Sequence, residues 1–185
     1  MSRKKFELTT DTKVVFGRKL FRIKALISFG NVTAGDLGGY VEKEENLSHN
    51  GNAWVYGNAK VYGNAEVSGN AKVYGNAEVS GNAEVSGNAW VYGDAKVYGD
   101  AEVSGNAKVY GNADYLCFKG LGSFNRNTTF FKCKDGHIHV SCGCFSGNLE
   151  EFENKVKETH GDSKYAKEYL ACMEVVKIHF EVQHE

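Results

Sequence analysis

The sequence predicts a mainly β protein organised around a solenoid, and three observations lead to that fold class. Residues 51–113 repeat the hexad Gly-Asn-Ala-x-Val-[Tyr/Ser] ten times without a break, with Asp94 and Asp100 as the only replacements of the Asn. A six-residue period is too short for a helical repeat and is typical of stacked short strands. Before the repeats the residues alternate as strands do, and after them strand and helix patterns combine. We therefore expect an N-terminal β cap over residues 1–35, a solenoid over 36–114 and a small α+β domain over 115–185.

Each position of the hexad has a physical role. The fifth residue, Val, is β-branched and suits a buried strand, and the third, Ala, is small enough for the inside of a tight corner. Gly and Asn, at positions one and two, tolerate the left-handed backbone that corners require. Stacked Asn side chains can also form a hydrogen-bonded ladder. Positions four and six flank the Val and should point outward, so we expect an interior of Val and Ala without room for a ligand.

The hexads resemble the hexapeptide-repeat, left-handed β-helix family, in which three hexads make one triangular coil. This resemblance implies a left-handed solenoid in which residues eighteen apart stack at about the 4.8 Å spacing of paired strands. The outward side chains are thereby sorted onto three faces. One of them, called the aromatic face below, consists of Trp54, Tyr56, Lys72, Tyr74, Trp90, Tyr92, Lys108 and Tyr110.

The other two faces are polar. The mixed face alternates in charge through Lys60, Glu78, Lys96 and Asp114, and the acidic face carries Glu66, Glu84 and Glu102. Like charges at strand spacing cost stability, so we expect the acidic face to be solvated. Contiguous apolar patches are rare on monomers, and Tyr and Trp dominate the energetics of interfaces. The aromatic face is therefore the predicted protein-contact surface.

Two strands are expected before the repeats, over residues 13–16 and 20–26, around a short loop at Gly17-Arg18-Lys19. Because bare strand edges recruit other chains, we interpret these strands as a cap on the solenoid. Degenerate hexads are expected from Val41 and Leu47, which we place in register with Ala53.

The lead-in Gly35-Asp36-Leu37-Gly38-Gly39-Tyr40-Val41-Glu42, followed by the hexads, resembles hexapeptide-repeat proteins of bacteriophages and prophages. That resemblance covers about residues 17–113. It implies a phage or prophage origin, but no mechanism, because most such proteins have no established activity.

The period breaks at Asp114, and the patterns that follow predict a separate small domain. Residues 128–133 and 137–142 flank the turn signal Asp135-Gly136 and predict a hairpin. Asn148 and Glu151 form a capping box that starts a helix, which Gly161 ends. A second helix is expected over residues 163–177 and a last strand over 178–182.

Potential metal ligands are concentrated in that hairpin. They are Cys133, His137, His139, Cys142 and Cys144, which fall within twelve residues. Thiolates and imidazoles suit zinc. Strand alternation, however, places Cys142 and Cys144 on the core face and both histidines on the other, so the ligands should diverge. We therefore expect buried thiols, with no metal, no cofactor and no catalytic residue.

Arg126, in a polar run before the first strand of the hairpin, is a further candidate for ligand contact. Its guanidinium could clamp a phosphate or a carboxylate, whereas the alternative is an ordinary solvated loop.

Composition limits the class of binding partner and the cellular compartment that we expect for this protein. The 185 residues have a formal net charge of −1, which does not indicate direct nucleic-acid binding. No secretion signal is visible at the start, and no stretch approaches the roughly 18 apolar residues of a membrane span. Five cysteines without such a signal indicate a reducing cytosol, which the phage resemblance makes the cytoplasm of a bacterial host.

These observations favour a non-enzymatic binding protein that forms a homo-oligomer, dimer first and trimer second, and has a host protein as target. In a phage setting, the specific expectation is a counter-defence inhibitor, such as an anti-CRISPR protein. Two alternatives stay open: a structural, filament-forming hexapeptide protein and a hexapeptide acyltransferase. Such acyltransferases bear a catalytic His at a coil, whereas residues 51–113 contain no His. Filament formers should leave coil ends bare, whereas both ends are expected to be capped here.

Overall fold

A computed structural model describes residues 4–182 of the chain. The chain divides between Asn112 and Ala113 into two compact units. The first contains three N-terminal strands and the solenoid, and the second contains a four-stranded sheet and two helices. Within residues 4–182, neither helix combines the length and the apolar character needed to cross a membrane.

The solenoid spans residues 40–109 in about four turns. Its strands are two residues long, one per hexad: β4 Trp54–Val55, β5 Lys60–Val61, β6 Glu66–Val67, β7 Lys72–Val73, β8 Glu78–Val79, β9 Glu84–Val85, β10 Trp90–Val91, β11 Lys96–Val97, β12 Glu102–Val103 and β13 Lys108–Val109. They pair in parallel as β4-β7-β10-β13, β5-β8-β11 and β6-β9-β12. Each pair joins residues eighteen apart, as Lys60 with Glu78 does, and this confirms the predicted coil of three hexads.

The interior of the coils is as thin as predicted. The Ala and Val side chains of the ten hexads are at most 2% exposed. The glycines of the same hexads all have a positive φ, between 58° and 74°. The Asn residues do not share that conformation, so Gly alone supplies the left-handed backbone at the corners.

The Asn side chains instead form the predicted ladders along the stack. Six hydrogen bonds of 2.7–3.4 Å join residues eighteen apart: Asn52 to Asn70, Asn64 to Asn82, Asn70 to Asn88, Asn76 to Asp94, Asn82 to Asp100 and Asn88 to Asn106. In every one the first residue of the pair donates its amide N–H, so the ladders run in a single direction.

Three N-terminal strands precede the repeats: β1 Phe6–Val15, β2 Arg18–Ala25 and β3 Leu37–Val41. The β1–β2 hairpin confirms the predicted pair of strands, but β1 begins at Phe6, well before the predicted residue 13. The turn is Phe16-Gly17, with φ of 48° and 77°, and the prediction of a loop at residues 17–19 was therefore wrong. Two positive φ angles make a type I′ turn, which matches the twist of the strands. Since β2 pairs with β3 and β3 with β5, the hairpin extends one sheet of the solenoid.

The first coil is longer than the others. Val41 pairs with Val61, and Leu47 bridges to Val67, so both occupy the Val position of a hexad rather than the Ala53 position expected from the sequence. Eight residues instead of six then separate Leu47 from the next Val, Val55. The wider corner contains His49, whose ring stacks on Phe6 at 4.4 Å.

The second unit is an antiparallel sheet of β14 Tyr115–Leu121, β15 Arg126–Lys132, β16 Ile138–Cys142 and β17 Phe145–Asn148, in that order, with helices α1 Leu149–His160 and α2 Lys164–His179. Phe130, Val140, Phe152, Tyr169 and Met173 are central to its core. The predicted hairpin at Asp135-Gly136 and the Asn148–Glu151 capping box are both confirmed.

The predicted last strand was wrong, because α2 continues to His179 and ends in a turn at Phe180. The amide of Phe180 donates to the carbonyl of Val176 at 3.0 Å. Phe180 also packs against the core of the unit, so the helical period of the buried residues persists to the end of the element.

Candidate functional site

The aromatic face has a continuous ladder of four tyrosine rings in register. Tyr74 and Tyr92 are stacked with centroids 5.1 Å apart and planes within 9° of each other. Tyr56 meets Tyr74 edge-on at 6.4 Å, and Tyr110 meets Tyr92 edge-on at 5.0 Å. The eighteen-residue repeat produces this ladder, because each tyrosine follows the Val of a strand in the β4-β7-β10-β13 sheet.

Trp54 does not belong to the exposed part of this face, contrary to the sequence-based expectation. Its side chain is 1% exposed, with Phe6 at 6.2 Å and Phe29 at 5.4 Å between ring centroids. Both covering residues precede the repeats. The N-terminal segment thus protects the first coil, and the accessible ladder begins at Tyr56.

Trp90 and the two lysines frame the ladder. The Trp90 ring lies edge-on to Tyr74 at 6.3 Å. The ammonium groups of Lys72 and Lys108 lie 5.4 Å from the ring of Trp90 and 5.6 Å from the ring of Tyr92, within the range of cation–π attraction. The lysine stems therefore lie along aromatic surface, and their charges stay at its border.

A shallow depression of about 350 Å³ opens on this face, lined by Asn31, Tyr56, Lys72, Tyr74 and Trp90. Burial raises the pKa of Tyr74 and of Tyr56 above the usual tyrosine value. Both phenols are therefore neutral at physiological pH and remain hydrogen-bond donors. The residues of the aromatic face are rings, phenols and ammonium groups, without a carboxylate or an imidazole, and this chemistry suits binding rather than proton transfer.

The mixed face shows an internal ion pair, and the acidic face shows a column of like charges. Lys60 and Glu78 form an ion pair at 2.9 Å on the mixed face, whereas Glu66, Glu84 and Glu102 stack in register on the acidic face. A larger depression of about 510 Å³ includes Arg18, Glu42 and Lys43. Its charged groups are engaged, since Arg18 and the Gly63 amide both donate to Glu42.

Arg126, the further candidate for ligand contact, lines a small cavity of about 200 Å³ in the second unit. Its guanidinium carbon is 5.3 Å from the ring centroid of Phe124. Cys144, Phe145, His160 and Tyr169 also line this cavity.

The hairpin of the second unit brings together three of the five residues that the sequence analysis considered as zinc ligands and then set aside. One ligand atom from each of Cys133, His137 and His139 lies within 4.8 Å of the others. The expected position on the core face is confirmed for Cys142, which is buried beside Tyr169 and Thr128. It was wrong for Cys144, which is exposed in the turn between β16 and β17. The expectation of divergent ligands was not worked out for Cys133, and the tight turn places this residue on the same side as the two histidines. The signal in the sequence was the spacing Cys-x3-His-x-His around an Asp-Gly turn.

Burial raises the pKa of the Cys133 thiol to about 11, and the Asp135 carboxylate acts in the same direction. Burial also lowers the pKa of His139, with the His137 charge as a second cause. In the cation-free chain these shifts favour a neutral thiol and a neutral imidazole.

No protein-family model and no curated protein matches the chain.

Proposed function

We propose that the protein is a non-catalytic binding protein whose aromatic face is its contact surface. The in-register ladder of four tyrosines with Trp90 carries this proposal. Aromatic side chains are the commonest energetic anchors of protein interfaces. The rings are attached to paired parallel strands over a filled interior, so the backbone that carries them is already ordered. Little conformational entropy of this surface is therefore lost when a partner binds.

Binding is favoured over acyl transfer by the chemistry of the repeats. The interior of the coils is occupied by Val and Ala, and residues 51–113 contain no His to act as a general base. The aromatic face offers only phenols and ammonium groups as polar groups beside the indole of Trp90.

The first partner we propose is a second copy of the chain. A two-fold axis lying in the plane of the interface, parallel to the aromatic face, would bring the Tyr ladder of one copy onto that of the other, and a flat patch of this kind can be self-complementary. The acidic face would repel its own copy, and Lys60 and Glu78 of the mixed face already pair within the chain. A trimer, as in left-handed β-helix proteins, is the competing assembly.

In biological terms, we propose that the dimer acts in the cytoplasm of a bacterial host as a phage-encoded counter-defence inhibitor, such as an anti-CRISPR protein. The resemblance to phage and prophage hexapeptide proteins supports this role, and the target would be a host protein complex. A structural filament is less favoured, because the N-terminal segment covers the first coil of the solenoid with Lys5, Phe6 and Phe29.

The role is tested by expressing the chain in bacteria with active CRISPR immunity and plating a phage that this immunity targets. The control variant is Tyr98→Ala, because Tyr98 is an exposed tyrosine that lies outside the aromatic face, next to Lys96 and Val97 of β11 on the mixed face. We expect plating efficiency to rise by at least tenfold with the wild type and with Tyr98→Ala, and to stay low with Trp90→Ala/Tyr92→Ala. Unchanged plating with the wild type across the CRISPR types of the host range would contradict the counter-defence role.

A further inference from the structure

We propose that Cys133, His137 and His139 form a Zn²⁺ site on the β15–β16 hairpin, with a fourth coordination position open to water or to an added ligand. The three side chains converge from one seven-residue segment, 133–139, that contains the turn. Nothing in the binding role of the aromatic face depends on this site.

The hairpin itself creates the convergence. The amide of Cys133 donates to the carbonyl of His137 at 2.9 Å, and the amide of Gly136 donates to the carbonyl of Cys133 at 3.0 Å. These bonds close a tight turn, in which Gly136 has a φ of 91°. Two residues further along, His139 pairs with Phe131 in the strand register. Residues 133, 137 and 139 therefore project on the same side of the hairpin.

The distances are compatible with zinc after small side-chain rotations. Zn–S bonds of about 2.3 Å and Zn–N bonds of about 2.0 Å in a tetrahedral site put the ligand atoms about 3.5 Å apart. The three ligand atoms lie within 4.8 Å of one another before any metal binds. Closing this gap needs movements of about 1 Å, which rotation of the three side chains can supply without moving the backbone of the hairpin.

Both imidazoles already have the outer partners that metal-bound histidines use. The Asp135 carboxylate contacts Nδ1 of His137, and the Ser146 hydroxyl lies 2.8 Å from Nε2 of His139. Such contacts fix the orientation of a ring and leave its other nitrogen for the metal. Asp135 also accepts from the backbone amide of His137 at 3.3 Å, so the carboxylate is held within the turn.

The ligand set selects the metal. One thiolate and two imidazoles favour Zn²⁺ over Mg²⁺ and Ca²⁺, which prefer oxygen ligands. Of the two nearby cysteines, Cys142 is buried with its sulfur engaged by Thr128 and Tyr169. Cys144 is exposed and lines the cavity beside Arg126. Three protein ligands with an open position are therefore the expected composition.

The test is titration of the reduced, metal-free full-length chain with Co²⁺, followed by Zn²⁺. We expect one Co²⁺ per chain, a thiolate-to-cobalt charge-transfer absorption, and displacement by one equivalent of Zn²⁺. Cys133→Ser should abolish the charge-transfer absorption, and His137→Asn should weaken Co²⁺ binding at least tenfold. Cys144→Ser is the matched control and should behave as the wild type.

Circular dichroism spectra of each variant establish that the fold is retained, and His137→Asn, at an exposed position, provides a second variant that does not disturb the core. Absence of the charge-transfer absorption in the wild type would overturn the proposal. Its retention in Cys133→Ser, or its loss in Cys144→Ser, would do so equally.

Discussion

At the corners of the solenoid, glycine is required for two separate physical reasons. The first is a positive φ, which costs an L-residue with a side chain about 1–2 kcal/mol. The second is proximity between coils. A Cβ on Gly81 would lie 2.8 Å from the backbone N and O of Gly99, whereas a Cβ on Gly57 would meet nothing within 4 Å. Substitutions at Gly57 and Gly81 therefore separate the cost of a positive φ from the cost of a clash with the next coil.

We predict that Gly81→Ala destabilises the protein more than Gly57→Ala. Gly57→Ala should cost about 1–2 kcal/mol from the backbone alone. Gly81→Ala should cost about 1–3 kcal/mol more, because the coils must separate to admit the methyl group. Urea unfolding of both variants measures the difference, and equal losses would show that the spacing between coils relaxes freely.

A buried lysine ammonium group is a second feature at the scale of single residues. Lys5 is 1% exposed, its Nζ donates to the carbonyl of Ala53 at 2.9 Å and lies 4.9 Å from the ring centroid of Phe29. Burial lowers the pKa of Lys5 to about 8. The folded state thus releases this proton at a lower pH than the unfolded state does.

The stability of the wild type relative to Lys5→Met should therefore depend on pH. Below pH 8 the ammonium is charged in both states and its full burial cost is present. As pH rises from about 8 to 10.5, the unfolded state binds more protons, so the wild type should gain up to about 3 kcal/mol relative to the variant. Comparing the two proteins cancels other titrating groups. If the difference in stability between the wild type and Lys5→Met stays constant over this range, the pKa of Lys5 is not lowered in the folded state.

At the scale of elements, the Asn ladders couple each coil to the next. Asn70 accepts from Asn52 and donates to Asn88, both at 3.0 Å. Asn106 ends the same ladder and accepts one bond of 3.4 Å from Asn88. An interior member of the ladder therefore takes part in two side-chain bonds and the terminal member in one weak bond.

We predict that Asn70→Ala lowers the free energy of unfolding by about 1–2 kcal/mol, and Asn106→Ala by less than about 0.5 kcal/mol. Chemical denaturation with a solenoid-specific signal, such as Trp fluorescence, provides the measurement. If the two variants lose the same stability, the ladder contributes nothing beyond the backbone pairing.

Elements were predictable from the sequence where local and global signals agree. Every hexad repeats the same Val, Ala and Gly, so one interpretation fixes ten strands. The hairpin turn was misplaced because Gly17 was combined with the residues after it, whereas Phe16 adopts the second positive φ. The last strand was wrong because β-branched residues near Ile178 also suit a helix whose buried stripe continues to Phe180.

The candidate site was less predictable, for a physical reason. Trp54 has the same hexad position as Trp90, yet Phe6 and Phe29, remote in the sequence, cover it. The group of Cys133, His137 and His139 depends on how a turn returns the chain. Contacts between distant segments, and the face on which a turn delivers a side chain, do not follow from periodicity.

On the scale of the whole molecule, the solenoid presents one aromatic face and two polar ones. The stacked Glu66, Glu84 and Glu102 disfavour contact between copies through the acidic face. The aromatic face instead combines a flat ring surface with lysines at its border, so hydrophobic burial can drive association. Self-association through this face is the central claim.

That claim is tested most directly by light scattering of the wild type at micromolar concentration, beside Trp90→Ala/Tyr92→Ala. Tyr98→Ala is the control, because Tyr98 is an equally accessible tyrosine on the mixed face, 62% exposed like Tyr110. We predict twice the chain mass of 20.3 kDa for the wild type and the control, and a folded monomer for the double variant. A monomeric wild type, or a double variant that remains dimeric, would contradict the claim.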